Sequence, residues 1–107
     1  MKSKRHPSLP VSHPAASVRE ISLPAVGISK TAFAKALGIS RQTLYDFLAE
    51  RQGVTANLAL RLEAVIGGSA EHWLAMQQAY DLWKARRELD LSKLKRLEAT
   101  DQFETAT

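Results

Sequence analysis

Gly38 separates two short segments, residues 30–37 and 40–49, in which apolar side chains recur at the spacing of a helical face. Glycine most readily adopts the left-handed backbone conformation that ends a helix. Ser40 can cap a second helix by accepting a hydrogen bond from a free backbone N–H, and Ala34 is small enough for two helices to approach closely. Two short helices joined by a tight glycine turn are the layout of a helix-turn-helix. The two apolar faces comprise Phe33, Ala34 and Leu37, then Leu44, Phe47 and Leu48.

This stretch resembles the helix-turn-helix of the Cro/C1-type repressor family. A generic helical hairpin also uses a glycine turn, but it does not need alanine and glycine at this spacing. The resemblance implies an all-α, five-helix, lambda-repressor-like helix-turn-helix domain with a C-terminal helical extension. The second helix of the motif is then expected to enter the major groove of DNA. All seven positions of the family pattern agree: apolar Phe33, Leu37, Ile39, Leu44 and Phe47, small Ala34, and Gly38.

Composition limits the size and the cellular setting of the protein. A chain of 107 residues with 45% hydrophobic residues allows one small domain. It contains no cysteine, which excludes disulfides and thiolate metal sites and is typical of the cytosol. Neither an apolar run of about 18 residues nor a signal-peptide pattern is present, so we expect a cytoplasmic protein without membrane association. The net charge of +4 and the pI near 9.7 suit a polyanionic partner, although charge alone identifies none.

The chain divides into an arm, a helical domain and a tail. Residues 1–12 carry basic residues and prolines without periodicity, and we expect a flexible basic arm there. Residues 13–88 are expected to form the helix-turn-helix domain, including a long fifth helix, and residues 89–107 to form a C-terminal tail. Three leucines could make one short amphipathic helix within that tail: Leu91, Leu94 and Leu97.

Caps and breakers predict where the other helices begin and end. A first helix starts at His13-Pro14 and ends at Pro24, because proline cannot donate the helical hydrogen bond. A fourth helix is expected over residues 56–66 and a fifth from residue 70 to about residue 88. Hydroxyl caps are expected at Ser29, Ser40, Thr55 and Ser69. The predicted apolar positions of the first and fourth helices are Ala15, Val18, Ile21, Leu58, Leu60, Leu62 and Val65.

The fifth helix carries a face of large side chains at spacings of three, four and three residues. Such a face either closes the core of the monomer or forms a contact between two copies of the chain, and the sequence leaves both interpretations open. One helix-turn-helix contacts few base pairs, which favours a homodimer with two of them. The candidate dimer residues are Trp73, Met76, Tyr80 and Trp83.

Beyond the motif, the chain resembles the HigA-type antitoxins, a branch of the same repressor family also called VapI-like. It differs from them after His13-Pro14, where the family usually has Gly-Glu, and at Pro24, which interrupts the first helix. The resemblance implies a DNA-binding antitoxin of a type II toxin–antitoxin module. Such a protein represses its own operon and neutralises a small RelE-like, HigB-type mRNA endonuclease. The resemblance spans about residues 13–97 and is carried by His13-Pro14, Gly53-Val54-Thr55, residues 59–62, Trp73-Leu74, Gln77 and Tyr80-Asp81-Leu82.

DNA binding requires side chains that hold phosphates and side chains that read bases. Arg41 can bridge guanine O6 and N7, and Gln42 can bridge adenine N6 and N7, from the first turn of the second motif helix. Tyr45 can meet a phosphate or a thymine methyl group. Asp46 can accept from cytosine N4, or can orient Arg41 or Gln42. By analogy with the repressor family, phosphate contacts on an inverted-repeat operator are expected at Lys30, Thr31, Ser40, Thr43 and Arg51.

No pattern typical of an enzyme or a metal site occurs in the sequence. His6, His13 and His72 have no ligand spacing and no cysteine partner, and there is no glycine-rich phosphate loop. We therefore expect no catalytic activity, no metal and no cofactor. Two alternatives to the antitoxin stay open: a solitary transcriptional regulator, and a protein-interaction module that has lost DNA binding. The basic side chains Lys30, Arg41 and Arg51 argue against the second of these.

Overall fold

The structure, a computed structural model, describes residues 10–98, and these residues contain five helices. No strand occurs between these residues, and the all-α prediction is confirmed. The predicted arm at residues 1–12 and the predicted tail at residues 89–107 lie partly outside the described residues. The first helix, α1, consists of three consecutive segments, Pro14–Ser17, Val18–Ser22 and Leu23–Val26. The others are α2 (Lys30–Leu37), α3 (Arg41–Leu48), α4 (Ala56–Ile66) and α5 (Ala70–Glu88).

Helix α1 continues past Pro24, and the prediction that it ends there is wrong. Its middle segment is a π turn, in which the N–H of Leu23 donates to the carbonyl of Val18, five residues earlier. A proline ring clashes with the carbonyl four residues before it in a regular α-helix, and a wider turn relieves that clash. The helix therefore ends only at Gly27, whose φ of 76° is left-handed.

The remaining helices begin at the predicted hydroxyl caps. Each cap accepts a hydrogen bond from the backbone N–H three residues later, which satisfies one of the free donors at a helix start. The capping residues are Ser29 for α2, Ser40 for α3, Thr55 for α4 and Ser69 for α5. The residues at which α2 and α3 begin are therefore determined by the serine that precedes each helix.

One hydrophobic core holds the two motif helices against the other three. Trp73 of α5 joins this core and is 6% exposed. Each large apolar side chain contributes about 1.5–3 kcal/mol when it is fully buried, so the motif is a rigid part of the fold. Four helices supply the largest fully buried hydrophobic side chains: Val18, Phe33, Leu44, Phe47 and Leu62.

Three predicted apolar positions lie on the surface instead. Leu60 and Val65 of α4 are 58% and 38% exposed, because the buried face of α4 is formed by Leu58, Ala59 and Leu62. Ile21 of α1 is 67% exposed. It lies within the π turn, whose angular spacing differs from the 3.6-residue period on which the prediction rested.

The described part of the tail, residues 89–98, contains a turn and no helix. The N–H of Leu94 donates to the carbonyl of Leu91 at 3.0 Å. Leu91, Leu94 and Leu97 are each more than half exposed, so a helix here would have no apolar surface to pack against. The predicted short amphipathic helix is therefore absent from these residues.

Candidate DNA-binding surface

The turn between α2 and α3 is held in place by an arginine from α4. Gly38 has a φ of 73°, and the N–H of Ile39 donates back to the carbonyl of Ala34 at 3.0 Å. Arg61 donates from Nη1 to the carbonyls of Leu37, at 2.8 Å, and Gly38, at 3.2 Å. A Cβ at Gly38 would lie 2.7 Å from the same Nη1. Glycine at this position therefore permits both the turn and the close approach of Arg61.

The first turn of α3 presents two of the predicted base-reading side chains to solvent. Ser40 accepts from the N–H of Thr43 at 3.0 Å and donates to the hydroxyl of Thr43 at 2.8 Å. Arg41 and Gln42 follow, and both are exposed. Within residues 10–98 Arg41 makes no ion pair and no side-chain hydrogen bond. This end of α3 thus combines free backbone N–H groups with long polar side chains, which suits a nucleic-acid groove.

Asp46 brings a predicted base reader and a predicted phosphate contact together. Its Oδ1 accepts from Nε2 of Gln42 at 2.9 Å, and from Nε and Nη2 of Arg51 at 3.1 and 2.8 Å. The hydrogen bond from Arg51, followed by that from Gln42, lowers the pKa of Asp46 below its ordinary value of 3.8. The carboxylate is therefore ionised at neutral pH. Of the two partners suggested from the sequence, it orients Gln42 and not Arg41.

The start of α2 also contributes to this surface. The Nζ of Lys30 lies 5.9 Å from the centre of the Tyr45 ring, within the range of a cation–π interaction. Thr31 follows and is exposed, and Tyr45 is 41% exposed. The predicted phosphate contact at Lys30 and the predicted base contact at Tyr45 are therefore neighbours.

The far end of α3 is tied to α1. Arg19 donates to the carbonyl of Leu48 at 2.8 Å and forms an ion pair with Glu50 at 3.4 Å. His13, which caps α1 by accepting from the N–H of Ala15 at 3.0 Å, lies 6.0 Å from the ring of Phe47. These contacts fix the direction in which α3 points.

Buried Gln77 of α5 holds the loop that follows α3. Its Oε1 accepts from the N–H of Val54 at 2.8 Å, and its Nε2 donates to Asp81 at 2.9 Å. A Cβ at Gly53 would lie 2.6 Å from the Gln77 amide, so glycine is needed for this approach. The sequence marked Gly53, Val54 and Gln77 only as points of family resemblance, and the structure supplies their physical role.

The predicted dimer face of α5 divides into a core residue and three partly exposed ones. Trp73 donates from Nε1 to the carbonyl of Gly67 at 2.9 Å and closes the monomer core, so it has almost no surface left for a second copy. Tyr80 packs edge-on against His13 at 5.0 Å. Trp83 lies under the Arg87 guanidinium at 5.1 Å, and its Nε1–H has no hydrogen-bond partner within residues 10–98. Met76, Tyr80 and Trp83 each keep part of their surface.

Sequence reasoning missed two residues that support this surface, Arg61 and Arg19. Each acts on a backbone carbonyl more than twenty residues away, and no local pattern signals such a contact. Among residues 10–98, no group of three His, Cys, Asp or Glu side chains is arranged to hold a metal ion. The same residues include no helix that is both long and apolar enough to cross a membrane.

Comparison with known proteins places this geometry in a family. The sequence profile of the helix-turn-helix family matches residues 18–73. Virulence-associated protein I of Dichelobacter nodosus is 42% identical over 80 residues, which cover 75% of this chain and 74% of that protein.

Two solved structures are similar in both sequence and fold. The antitoxin GraA is 34% identical with a TM-score of 0.79, over 84% of this chain and all of that one. The antitoxin HigA of Pseudomonas aeruginosa, solved with the higBA promoter, is 34% identical with a TM-score of 0.69, over 72% of this chain and 84% of that one. This family binds DNA and is not enzymatic. The chain therefore belongs to the Cro/C1-type helix-turn-helix family, in the branch of the HigA-type antitoxins.

Proposed function

We propose that this protein is a sequence-specific DNA-binding antitoxin of a type II toxin–antitoxin module. As a homodimer on an inverted-repeat operator it represses its own operon, and it neutralises a small RelE- or HigB-like mRNA endonuclease. One observation carries the DNA-binding half of the proposal. Arg41 and Gln42 are exposed on the first turn of α3; Arg61 bonds the turn that precedes this helix, and Arg19 bonds its last residue, Leu48. Such preorganisation suits the reading of base edges.

The side chains of this surface divide by role. Base contacts are assigned to Arg41, Gln42 and Tyr45, with Asp46 beside them. Phosphate contacts, which set the register and carry no sequence information, are assigned to Lys30, Thr31, Ser40, Thr43 and Arg51. Ser40 and Thr43 sit at the capped start of α3, where free backbone N–H groups also favour phosphate.

Binding titrations of single variants test this division. Arg41→Ala and Gln42→Ala should each lose about 1–3 kcal/mol on the operator and relax the preference at one base pair. Lys30→Ala should weaken operator and scrambled duplex alike and lower the salt slope by about one unit. Lys35→Ala, an exposed lysine of the same helix outside the proposed surface, is the charge-matched control. Equal losses on both duplexes for Arg41→Ala and Gln42→Ala would mean that α3 does not read the bases.

Co-expression with the neighbouring genes tests the antitoxin half. The protein should co-purify with a small basic endoribonuclease encoded next to it, and its expression should relieve the growth arrest that the nuclease causes. With no such neighbour and no co-purifying protein, the result would support a solitary regulator that keeps the same DNA contacts. Loss of DNA binding altogether would leave only the protein-interaction module.

A further inference from the structure

Asp46 determines how the amide of Gln42 faces outward. An ionised carboxylate accepts hydrogen bonds and donates none, so Gln42 must turn its NH₂ group toward Oδ1, where Nε2 lies at 2.9 Å. Within residues 10–98 the side chain of Gln42 makes no other hydrogen bond. One N–H and Oε1 therefore remain free. A glutamine presents this donor–acceptor pair to adenine N7 and N6.

The same oxygen holds the guanidinium of Arg51. Two guanidinium nitrogens donate to Oδ1, at 3.1 and 2.8 Å, and the backbone N–H of Arg51 donates to the Asp46 carbonyl at 2.8 Å. The Arg51 side chain is 60% exposed but lies directly against a negative charge. This carboxylate therefore weakens the phosphate contact proposed for Arg51 without preventing it.

We propose that Asp46 is a positioning residue that sets base specificity. It fixes the donor–acceptor orientation of Gln42 and pairs with Arg51, which weakens the contact of Arg51 with phosphate. Binding to arbitrary DNA is thereby weakened, while reading of the correct base is preserved. This inference rests on the proposed function, because it requires α3 to read bases. It differs from direct recognition, in which Asp46 itself would accept from a cytosine.

The test uses the full-length protein and a duplex selected from a randomised library by the wild type. Affinities of wild type, Asp46→Asn and Asp46→Ala are measured on that duplex and on a scrambled one, at several salt concentrations, after thermal melts show that each variant is folded. Asp46→Ala removes the acceptor and should reduce the preference at one base pair about 5- to 150-fold. Asp46→Asn keeps an amide oxygen that can still accept from Gln42, so it should reduce that preference less. Both variants should also bind the scrambled duplex more tightly, with a salt slope steeper by up to about one unit, because Arg51 is no longer paired with a carboxylate. A purely structural role would not steepen the salt slope.

Two further variants separate positioning by Asp46 from a direct base contact and from a general effect of net charge. In a Gln42→Ala background, Asp46→Ala should cause no additional loss of base preference, because both changes act through the side chain of Gln42. Glu71→Gln changes the net charge equally. The side chain of Glu71 is exposed on α5 and makes no hydrogen bond or ion pair within residues 10–98, so this variant should leave the preference unchanged.

Each alternative outcome has one meaning. If Asp46→Ala keeps the wild-type preference, this inference is overturned and the proposed function stands. If its loss adds fully to that of Gln42→Ala, Asp46 reads a base directly and the inference is again overturned. If the wild type selects no preferred duplex, the proposed function fails, and the inference falls with it.

Discussion

Gly27 and Gly38 share a left-handed backbone and differ in their surroundings. Both have φ near 75°, at 76° and 73°. A Cβ at Gly27 would meet no atom within 4 Å, whereas one at Gly38 would lie 2.7 Å from Nη1 of Arg61. We predict that Gly27→Ala destabilises the fold by about 1–2 kcal/mol, the cost of a left-handed alanine. Gly38→Ala should cost about 0.5–1.5 kcal/mol more, because Nη1, at the end of the flexible Arg61 side chain, must shift away from the carbonyls of Leu37 and Gly38.

Urea denaturation of both variants measures the difference. Arg61→Ala in each background completes the comparison: it should remove most of the difference between the two glycine variants. Equal losses for Gly27→Ala and Gly38→Ala in the wild-type background would show that Arg61 does not stabilise the turn.

Individual residues also show where sequence reasoning succeeds. Gly38 and Ser40 were predictable because a helix end and a cap are local requirements. Arg61 was not, because its contact with the turn joins residues 24 positions apart. The bond between Asp46 and Gln42 spans one helical turn and was anticipated as one option, while the pairing of Asp46 with Arg51 depends on how the chain turns back after α3.

At the scale of elements, α2, α3, α4 and α5 match their predicted ranges because each has a strong cap and a regular period. Helix α1 differs. Its Pro24 is a reliable breaker of a regular α-helix, but a π turn before it relaxes the geometry that makes proline a breaker. A π turn has no sequence signature comparable to a cap. The exposed Ile21 follows from the same irregularity.

Helices α1, α3 and α5 meet at His13, which is 4% exposed and touches the rings of Phe47 and Tyr80. Burial lowers the pKa of His13 below 6.5, partly countered by the charges of Glu50 and Asp81. The folded state therefore favours the neutral ring, whose Nδ1 caps α1. We predict that its contribution to stability is complete above pH 6.5 and is lost as the pH falls through the lowered pKa, with a slope of at most about 1.4 kcal/mol per pH unit.

Denaturation of wild type and His13→Asn between pH 7.5 and 5.5 isolates this contribution. Asparagine is also a good helix cap but does not titrate, so the variant should be less stable at every pH and less dependent on pH. The exposed His72 is present in both proteins, so any effect that it has on the pH dependence cancels when the two are compared. The same pH dependence in both would show that another group is responsible.

At the scale of the whole molecule, the resemblance carried by the motif implied the fold class, and the capped helices agreed with it. The role of the α5 face could not be predicted in this way. A seam of large residues looks the same in a sequence whether it closes a monomer or joins two. Trp73 belongs to the monomer core, because its side chain is buried there and its Nε1–H donates to the carbonyl of Gly67. Trp83, at the other end of the seam, keeps exposed surface, and its Nε1–H has no partner within residues 10–98.

The proposed operator requires two copies of α3 about 34 Å apart, so the protein should be a dimer at micromolar concentration by light scattering. If Met76, Tyr80 and Trp83 form the contact, Trp83→Ala should shift the dimer toward monomer and weaken operator binding while each monomer stays folded. Trp73→Ala should instead destabilise the monomer by about 3–5 kcal/mol, as expected for a tryptophan in a core. A wild-type monomer that binds its operator tightly would refute the dimer. A Trp83→Ala protein that remains dimeric would place the contact on another surface, because Trp83 is the largest of the three side chains that this face leaves partly exposed.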